Sequence, residues 1–153
     1  MLVIDSDVFV IDRRYKHDPH FHINRRFLDM IAQGKWKAAT TIFNVLEVCG
    51  VLSFGLNPEQ VLELYSHFGR IYHVTILILR LRSIRVEDAT DELALRCISI
   101  IKRKVSFGDA LMLAVAEAHP EVETLITWNA RHFRGKTRLK VFTHDEWLAT
   151  DSQ

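Results

Sequence analysis

Short apolar segments that alternate with helical patterns constrain the fold of this 153-residue sequence more than any other feature. The segments are rich in β-branched residues and are too short for helices, so they predict buried strands. Because helical sequence separates them, they indicate an α/β protein. We expect a three-layer α/β/α sandwich around a mostly parallel sheet of about four to five strands. The predicted strands are Leu2–Ile4, Ala38–Thr41, Ile71–Leu79, Thr124–Trp128 and Leu139–Thr143.

The helical segments between these strands carry their own start and stop signals. Asn57 is a predicted N-cap that is followed by Pro58 in the first turn and by Gln60 at the capping-box position, and Gly69 predicts the end of that helix. A polar, His-rich loop is predicted from Asp12 to about His22. The other predicted helices are Ile23–Gln33, Ile42–Phe54, Val86–Lys104, Ser106–His119 and His144–Ala149.

Length and composition limit the class of protein to which the sequence can belong. The chain is 48% apolar and 25% charged, which is ordinary for a globular protein, and its length predicts one domain over residues 1–153. Cys49 and Cys97 both lie in apolar helical patterns, which argues against a disulfide framework and fits a reducing compartment. Without a signal-like start or an apolar run of membrane-spanning length, we expect a cytoplasmic protein that makes no use of a membrane.

The net charge of +1 conceals an uneven distribution of basic residues. The segment between Asn129 and His144 contains no acid, and local basic patches attract polyanions even when the total charge is near zero. Solvated surface is the competing interpretation for any single patch. The basic residues of this segment are Arg131, His132, Arg134, Lys136, Arg138 and Lys140.

Four acidic or amide residues interrupt apolar surroundings. Asp5 and Asn129 follow predicted strands, Asp109 lies in the first turn of a predicted helix, and Glu47 lies inside another helix. Ligands of such sheets bind outside the carboxyl ends of the strands, so three of the four can share one edge. Asp7 would lie on the same side as Asp5 if the first strand continued that far.

Each of these residues also has a purely structural interpretation. Asp109 forms a Ser-x-x-Asp pattern with Ser106 that could be a capping box alone, and Asp5 and Asn129 could simply close turns. Glu47 is harder to explain in this way, because its helix is otherwise apolar apart from Asn44, one turn back on the same face. The four together are a more specific signal than any one of them.

Oxygen ligands select a hard cation, Mg²⁺ or Mn²⁺. Asp5, Glu47 and Asp109 supply carboxylates for one divalent ion, and Asn129 can add a neutral oxygen. Such an ion can activate water and neutralise a phosphate in phosphodiester cleavage. A zinc site at His17, His20 and His22 is a weaker hypothesis, because the spacing matches no standard pattern and no cysteine pair accompanies it. The default interpretation of this His-rich segment is a solvated loop, which could contact a polyanion.

The order of motifs along nearly the whole chain resembles that of the PilT N-terminus (PIN) domain family. The matching segments are Val3-Ile4-Asp5-Ser6-Asp7, Thr41-Ile-Phe-Asn-Val-Leu-Glu47, Ser106-Phe-Gly-Asp109-Ala110 and Leu125-Ile-Thr127-Trp-Asn129-Ala-Arg-His132-Phe133. Asn129 departs from the family pattern, because many members have Asp at that position. A second metal ion would therefore lack a fourth carboxylate.

The resemblance implies a PIN-like domain with Mg²⁺- or Mn²⁺-dependent ribonuclease activity. Asp5, Glu47 and Asp109 would hold the ion. Asn129 would be the fourth catalytic residue. The size is similar to that of VapC-type toxins, so a homodimer and a cognate antitoxin protein are the implied partners besides RNA. Residues expected to support the site are Ser6, Asp7, Asn44 and Thr127. Residues expected to contact RNA are Arg131, Arg134 and Lys136.

Two alternatives stay open at this stage. A PIN-fold module that binds RNA or protein without cutting is one, and Asn129 favours it. The start Asp5-Ser6-Asp7 also resembles that of haloacid-dehalogenase-like phosphatases, but Leu113 stands where a late Asp would be expected. The chain is also short for that fold.

Overall fold

A computed structural model describes residues 1–80 and 85–150 of the chain. Strands and helices alternate along it, as the sequence predicts. The strands are β1 (Leu2–Ile4), β2 (Ala38–Thr41), β3 (Thr75–Leu77), β4 (Thr124–Ile126) and β5 (Lys140–Phe142). Within the described ranges, the helices are α1 (Ser6–Arg14), α2 (Phe21–Ala32), α3 (Ile42–Leu52), α4 (Pro58–Tyr72), α5 (Val86–Ile101), α6 (Phe107–Ala116), α7 (Ala130–Phe133) and α8 (His144–Thr150).

The strands form one five-stranded sheet with the order β3-β2-β1-β4-β5, and every neighbouring pair is parallel. The prediction of a mostly parallel sheet of four to five strands is confirmed. Chain order reverses between β1 and β4, which makes a crevice at the carboxyl ends of these two strands. Val3 of β1 pairs with Ala39 on one side and with Leu125 on the other.

Both faces of the sheet are buried, because successive side chains of a strand point to opposite faces. Leu2 and Ile4 pack into a core that is formed with α1 to α4, whereas Val3 packs into a second core that is formed with α5 and α6. The predicted three-layer α/β/α arrangement is therefore confirmed. The prediction of one domain over residues 1–153 stays a prediction.

The boundary between α4 and β3 differs from its prediction. Asn57 starts α4 with the expected capping box, but the helix passes Gly69 and ends at Tyr72, so the strand begins only at Thr75. Gly69 does not end the helix. It allows a close approach instead, since an added Cβ would lie 2.9 Å from the carbonyl oxygen of Val74.

Other element ends lie within a few residues of their predicted positions. The helices α3, α5 and α6 end earlier than expected, and β4 ends at Ile126, two residues before the predicted Trp128. The strand β1 ends at Ile4, so Asp7 lies in the first turn of α1 and not on a strand. The premise that strand alternation places Asp7 beside Asp5 was wrong.

Two further findings concern the cysteines and the apolar character of the helices. Cys49 and Cys97 are free and buried, in agreement with the absence of a disulfide framework. Among the described residues, no helix has the length and apolar character that crossing a membrane requires.

Candidate functional site

Asp5 lies directly after the central strand β1 and is the N-cap of α1. Its Oδ1 accepts from the backbone N–H of Ser6 at 2.7 Å and from Nδ2 of Asn44 at 3.1 Å. Its Oδ2 lies 2.8 Å from Oγ1 of Thr127, which follows β4. Asp5 is only 7% exposed. The two strands that flank the crevice therefore both contribute to holding this carboxylate.

Thr127 joins Asp5 to a second carboxylate, that of Asp7. Oγ1 of Thr127 lies 3.0 Å from Oδ2 of Asp7, which also accepts from the backbone N–H of Trp128 at 2.9 Å. A threonine hydroxyl has a single proton, so it can donate to only one of the two carboxylates at a time. Oδ1 of Asp7 is buried and has no hydrogen-bond partner among the described residues. This part of the chain therefore satisfies the pair of acids incompletely.

The two carboxyl groups resist ionisation. Burial raises the pKa of Asp5 to about 6, and the negative charges of Asp109 and Glu47 add to this effect. Burial raises the pKa of Asp7 to about 8, with a further contribution from the charge of Asp5. Hydrogen bonds from Thr127 lower both pKa values but do not outweigh burial. A group that supplied positive charge would lower both pKa values.

Helix α3 presents Asn44 and Glu47 to the crevice from the side of β2. Thr41 caps the helix by accepting from the backbone N–H of Asn44 at 3.2 Å, and its hydroxyl donates to Oδ1 of the same residue. This leaves Nδ2 of Asn44 to donate to Asp5. Oε2 of Glu47 accepts from the Ser6 hydroxyl at 2.8 Å.

The exposure of Glu47 corrects one assumption. The apolar composition of α3 suggested a buried glutamate, but Glu47 and its neighbour Leu46 are both exposed. The helix buries Val45, Val48 and Cys49 instead. Glu47 therefore lies at the open mouth of the site, where a solvated ligand can reach it.

Asp109 enters from the other face of the sheet, in the first turn of α6. Ser106 is the N-cap and accepts from the backbone N–H of Asp109 at 3.3 Å, which is one half of the capping box that the Ser-x-x-Asp pattern allowed. The Ser106 hydroxyl donates in turn to Oδ2 of Asp109 at 2.7 Å. Nε2 of His132 lies 3.0 Å from the same oxygen, and the Asp109 side chain is 28% exposed. The capping contact with Ser106 therefore leaves this carboxylate partly exposed to solvent.

Asn129 lies at the exposed edge of the site. Its backbone N–H donates to Oγ1 of Thr127 at 3.0 Å, and it is the N-cap residue of the four-residue helix α7. Its side chain makes no capping hydrogen bond. The amide is therefore available to a ligand rather than committed to the turn.

The three predicted RNA contacts are not equivalent. Arg134 pairs with Glu146, and Nζ of Lys136 donates to the backbone carbonyl of Lys104 at 2.9 Å. Arg131 is exposed. Much of the basic segment that follows β4 is thus used in tertiary contacts, which include three backbone carbonyls that accept from Arg138.

Sequence reasoning missed three polar or aromatic residues around the site. His132 contacts Asp109, whereas Asn24 accepts from Nε1 of Trp128 at 3.0 Å and donates to the carbonyl of Val8 at 2.9 Å. A polar residue with complete burial, such as Asn24, leaves little trace in a helix that is rich in charges. The segment from Thr127 to Phe133 carried the only signal for the other two.

The oxygen atoms of the site determine which cation it could bind. Among residues 1–80 and 85–150, no group of three or more His, Cys, Asp or Glu side chains is arranged to hold a metal ion. The same part of the chain places no Lys or Arg in an ion pair with Asp5, Asp7 or Glu47. The oxygen chemistry and the unpartnered Oδ1 of Asp7 fit a hard cation. Glu47 is exposed and Asp109 is partly exposed, so a solvated cation can reach both carboxylates.

Comparison with known proteins agrees with this fold. Residues 2–135 match the PIN domain family, and the chain belongs to that family. No curated protein matches the sequence.

Solved structures share the fold at low sequence identity. FitAcB from Neisseria gonorrhoeae superposes with a TM-score of 0.62 at 15% identity, covering 94% of this chain and 98% of that one. A toxin-antitoxin complex from Klebsiella pneumoniae has a TM-score of 0.57 at 18% identity, with 94% and 98% covered. VapBC2 from Rickettsia felis, bound to a DNA fragment from its promoter, has a TM-score of 0.59 at 16% identity, with 93% and 97% covered.

Proposed function

We propose that the protein is a divalent-metal-dependent endoribonuclease and the toxin of a toxin–antitoxin pair. The observation that carries the proposal is a cluster of carboxylates at the switch point of the sheet that lacks a cation from the described chain. Burial raises the pKa values of Asp5 and Asp7 strongly, and strongly shifted pKa values cluster at functional sites.

The residues of the site would have two roles, metal binding and orientation of the metal-binding groups. Asp5, Glu47 and Asp109 would hold Mg²⁺ or Mn²⁺, and the Asn129 amide would add a neutral oxygen. The ion would supply an activated water and charge neutralisation at the scissile phosphate. Ser6, Asn44 and Thr127 would fix the orientation of these groups, because each donates a hydrogen bond to a carboxylate of the cluster.

Asp7 has a separate role in this proposal. Its carboxyl group would remain protonated near neutral pH without a metal ion and would ionise when positive charge arrives. Thr127 links it to Asp5, so the proton state of Asp7 affects the charge of the metal-binding carboxylate. Of the three residues expected to contact RNA, Arg131 is best placed to meet phosphate, because Arg134 and Lys136 already have protein partners.

The implied partners are a cognate antitoxin and a second copy of the chain. Structural neighbours that are complexes of this kind support the antitoxin. The free buried cysteines fit action in the reducing cytoplasm. Copurification with the product of an adjacent small reading frame tests the antitoxin, and light scattering of the purified protein tests the dimer.

Cleavage of RNA tests the central claim. Purified protein should cut structured RNA in the presence of Mn²⁺ or Mg²⁺ and should stop when EDTA is added. Asp5→Asn and Asp109→Asn should each lower the rate by at least about 100-fold, with an unchanged circular dichroism spectrum. Asp91→Asn is the matched control, because Asp91 is exposed on α5 outside the site. Unaltered cleavage by either site variant would contradict the assignment.

A second candidate is an RNA-binding PIN-fold protein that does not cut. The absence of a three-residue metal group among the described residues favours it, together with the neutral side chain at Asn129. That function predicts RNA binding that survives EDTA and no cleavage with either metal ion.

A further inference from the structure

Three aromatic rings are stacked in a row from the core to the surface beside the acidic site, which we define as Asp5, Asp7, Glu47 and Asp109. The ring of His144 stacks on Trp128 with centroids 4.2 Å apart and planes at 16°. His20 stacks on Trp128 with centroids 4.1 Å apart and planes at 27°. We call His144, Trp128 and His20 the ring stack.

The inner part of the ring stack is rigid. His144 is fully buried, and the edge of its ring contacts Phe27 with centroids 4.7 Å apart. Burial lowers the pKa of His144 to about 3, so its ring is neutral, and within the described residues neither ring nitrogen has a hydrogen-bond partner. Nε1 of Trp128 donates to Asn24, which is itself fully buried. The indole is therefore fixed in both position and angle.

The outer ring differs from the other two. His20 is exposed, and its backbone is held by an N–H that donates to Oδ1 of Asp18 at 2.8 Å and by a carbonyl that accepts from the N–H of Asn24 at 2.9 Å. Among the described residues, Trp128 is the one ring stacked on His20, and His20 is exposed, so the ring face away from Trp128 is available for a further contact. A flat, supported and exposed ring is what a nucleobase needs for stacking.

The ring stack is joined to the acidic site by one residue. The backbone N–H of Trp128 donates to Oδ2 of Asp7, so the residue that carries the indole also holds a carboxylate of the site. Lys16 and His17, in the loop before His20, are exposed, so phosphates can reach them. A strand of RNA that placed a phosphate at the acidic site would have a nucleotide near this loop.

We propose that the exposed face of His20 stacks on one nucleobase of a single RNA strand that lies across the acidic site. The inference rests on the proposed ribonuclease function and adds a base-binding position to it. Stacking on a ring tolerates any base, so this position would contribute affinity and register rather than strict sequence choice.

Fluorescence of 2-aminopurine tests the proposal directly. The probe is an oligouridine of about ten nucleotides with one central 2-aminopurine, titrated with protein in Ca²⁺. Stacking on an aromatic ring quenches this base. Wild-type protein should quench it, and His20→Ala should bind about fivefold more weakly or worse with the quenching lost. His20→Phe should keep both, because it retains a flat ring without the imidazole nitrogens.

His22→Ala is the matched control. His22 is also exposed, lies two residues away and belongs to the same His-rich segment, but it is outside the ring stack. It should behave as the wild type does. Equal losses for His20→Ala and His22→Ala would point to general charge and overturn the proposal, as would full quenching by His20→Ala or no quenching by the wild-type protein.

A parallel cleavage assay separates this proposal from the proposed function. Quenching that depends on His20 in a protein that cuts no RNA would uphold the stacking position and reject the nuclease. Cleavage of RNA by the wild type together with quenching that is indifferent to His20→Ala would reject the stacking position and uphold the nuclease.

Discussion

Nε2 of His132 lies 3.0 Å from Oδ2 of Asp109 and thereby joins helix α7 to the first turn of α6. The neighbouring residues Ala110 of α6 and Phe133 of α7 pack into the same core. His132 and Ser106 both contact Oδ2 of Asp109. The opposite side of this carboxylate is therefore the one that can face the other acids of the site. The orientation of this carboxylate is therefore set by two neighbours outside the acidic site.

His132→Ala should weaken Mn²⁺ binding by about tenfold, because Asp109 loses one of the two groups that orient it. Isothermal titration of the metal measures this without reference to activity. His132→Gln should recover part of the affinity, because its amide can donate in place of Nε2. Arg131→Ala serves as a control at the adjacent exposed position. Equal metal affinity in His132→Ala and the wild type would show that the contact has no orienting role.

The Asn129→Asp variant tests the contribution of the uncharged Asn129 side chain to the site. A further carboxylate beside the acidic site should raise Mn²⁺ affinity by on the order of tenfold, because charge count controls the affinity of oxygen sites. Asn129→Ala should lower the cleavage rate if the amide is a ligand. Metal titration and initial cleavage rates together check both variants. If Asn129→Ala matched the wild type in both measurements, Asn129 would have no part in metal binding or catalysis.

The raised pKa values predict how stability depends on pH in the absence of metal. A carboxyl group with a folded-state pKa above 3.8 binds its proton more tightly in the folded state. Its contribution to the free energy of unfolding is therefore complete at low pH and is lost as the pH rises toward about 6 for Asp5 and about 8 for Asp7. Other acids such as Asp145 have lowered pKa values and act in the opposite direction.

A difference between two proteins isolates this effect. In EDTA, Asp7→Asn should be more stable than the wild type at pH 8 by about 1 kcal/mol or more, and the difference should shrink toward pH 4. Urea unfolding at each pH measures it. Addition of Mn²⁺ should stabilise the wild type most at high pH, where the carboxyl groups are ionised. A stability difference that did not change with pH would contradict the raised pKa of Asp7.

Two glycines in helices should respond oppositely to alanine. Gly69→Ala brings Cβ within 2.9 Å of the carbonyl oxygen of Val74, and a backbone atom cannot move aside cheaply, so we expect a loss of about 1–3 kcal/mol. Gly50, inside α3, has no atom within 4 Å of an added Cβ. Gly50→Ala should therefore stabilise by about 0.5–1 kcal/mol. Thermal and urea unfolding compare the pair, and a stable Gly69→Ala would show that the turn before β3 can relax.

Much of this architecture is predictable from sequence, because the relevant signals are local. The strand β2 matches its predicted bounds, and the N-cap of α4 at Asn57 is correct, since both depend on residues close together in the chain. Ile71 and Tyr72 were assigned to a strand because an apolar run has no period that separates the end of a helix from the start of a strand. The helix α7 has only four residues, too few to show a period.

The sequence predicts the residues of the candidate site but not their geometry. Asp5 and Asn129 follow strands and Asp109 lies in the first turn of a helix, and such positions can be identified from sequence. The exposure of Glu47 could not be identified, because the apolar residues of α3 hide which side faces the core. The contact between His132 and Asp109 depends on how two helices meet on one face of the sheet, which no local pattern encodes.

The central position of β1 has a consequence for synthesis of the protein. Asp5 and Thr127 are 122 residues apart in the chain, yet their side chains meet at 2.8 Å. A nascent chain that has not yet extended past β4 can pair β1 with β2 on only one side, and it lacks the hydroxyl that links Asp5 to Asp7. The acidic site therefore cannot be complete on a growing polypeptide until most of its residues have left the ribosome. If the protein has the proposed activity, this order of assembly alone would keep unfinished chains inactive.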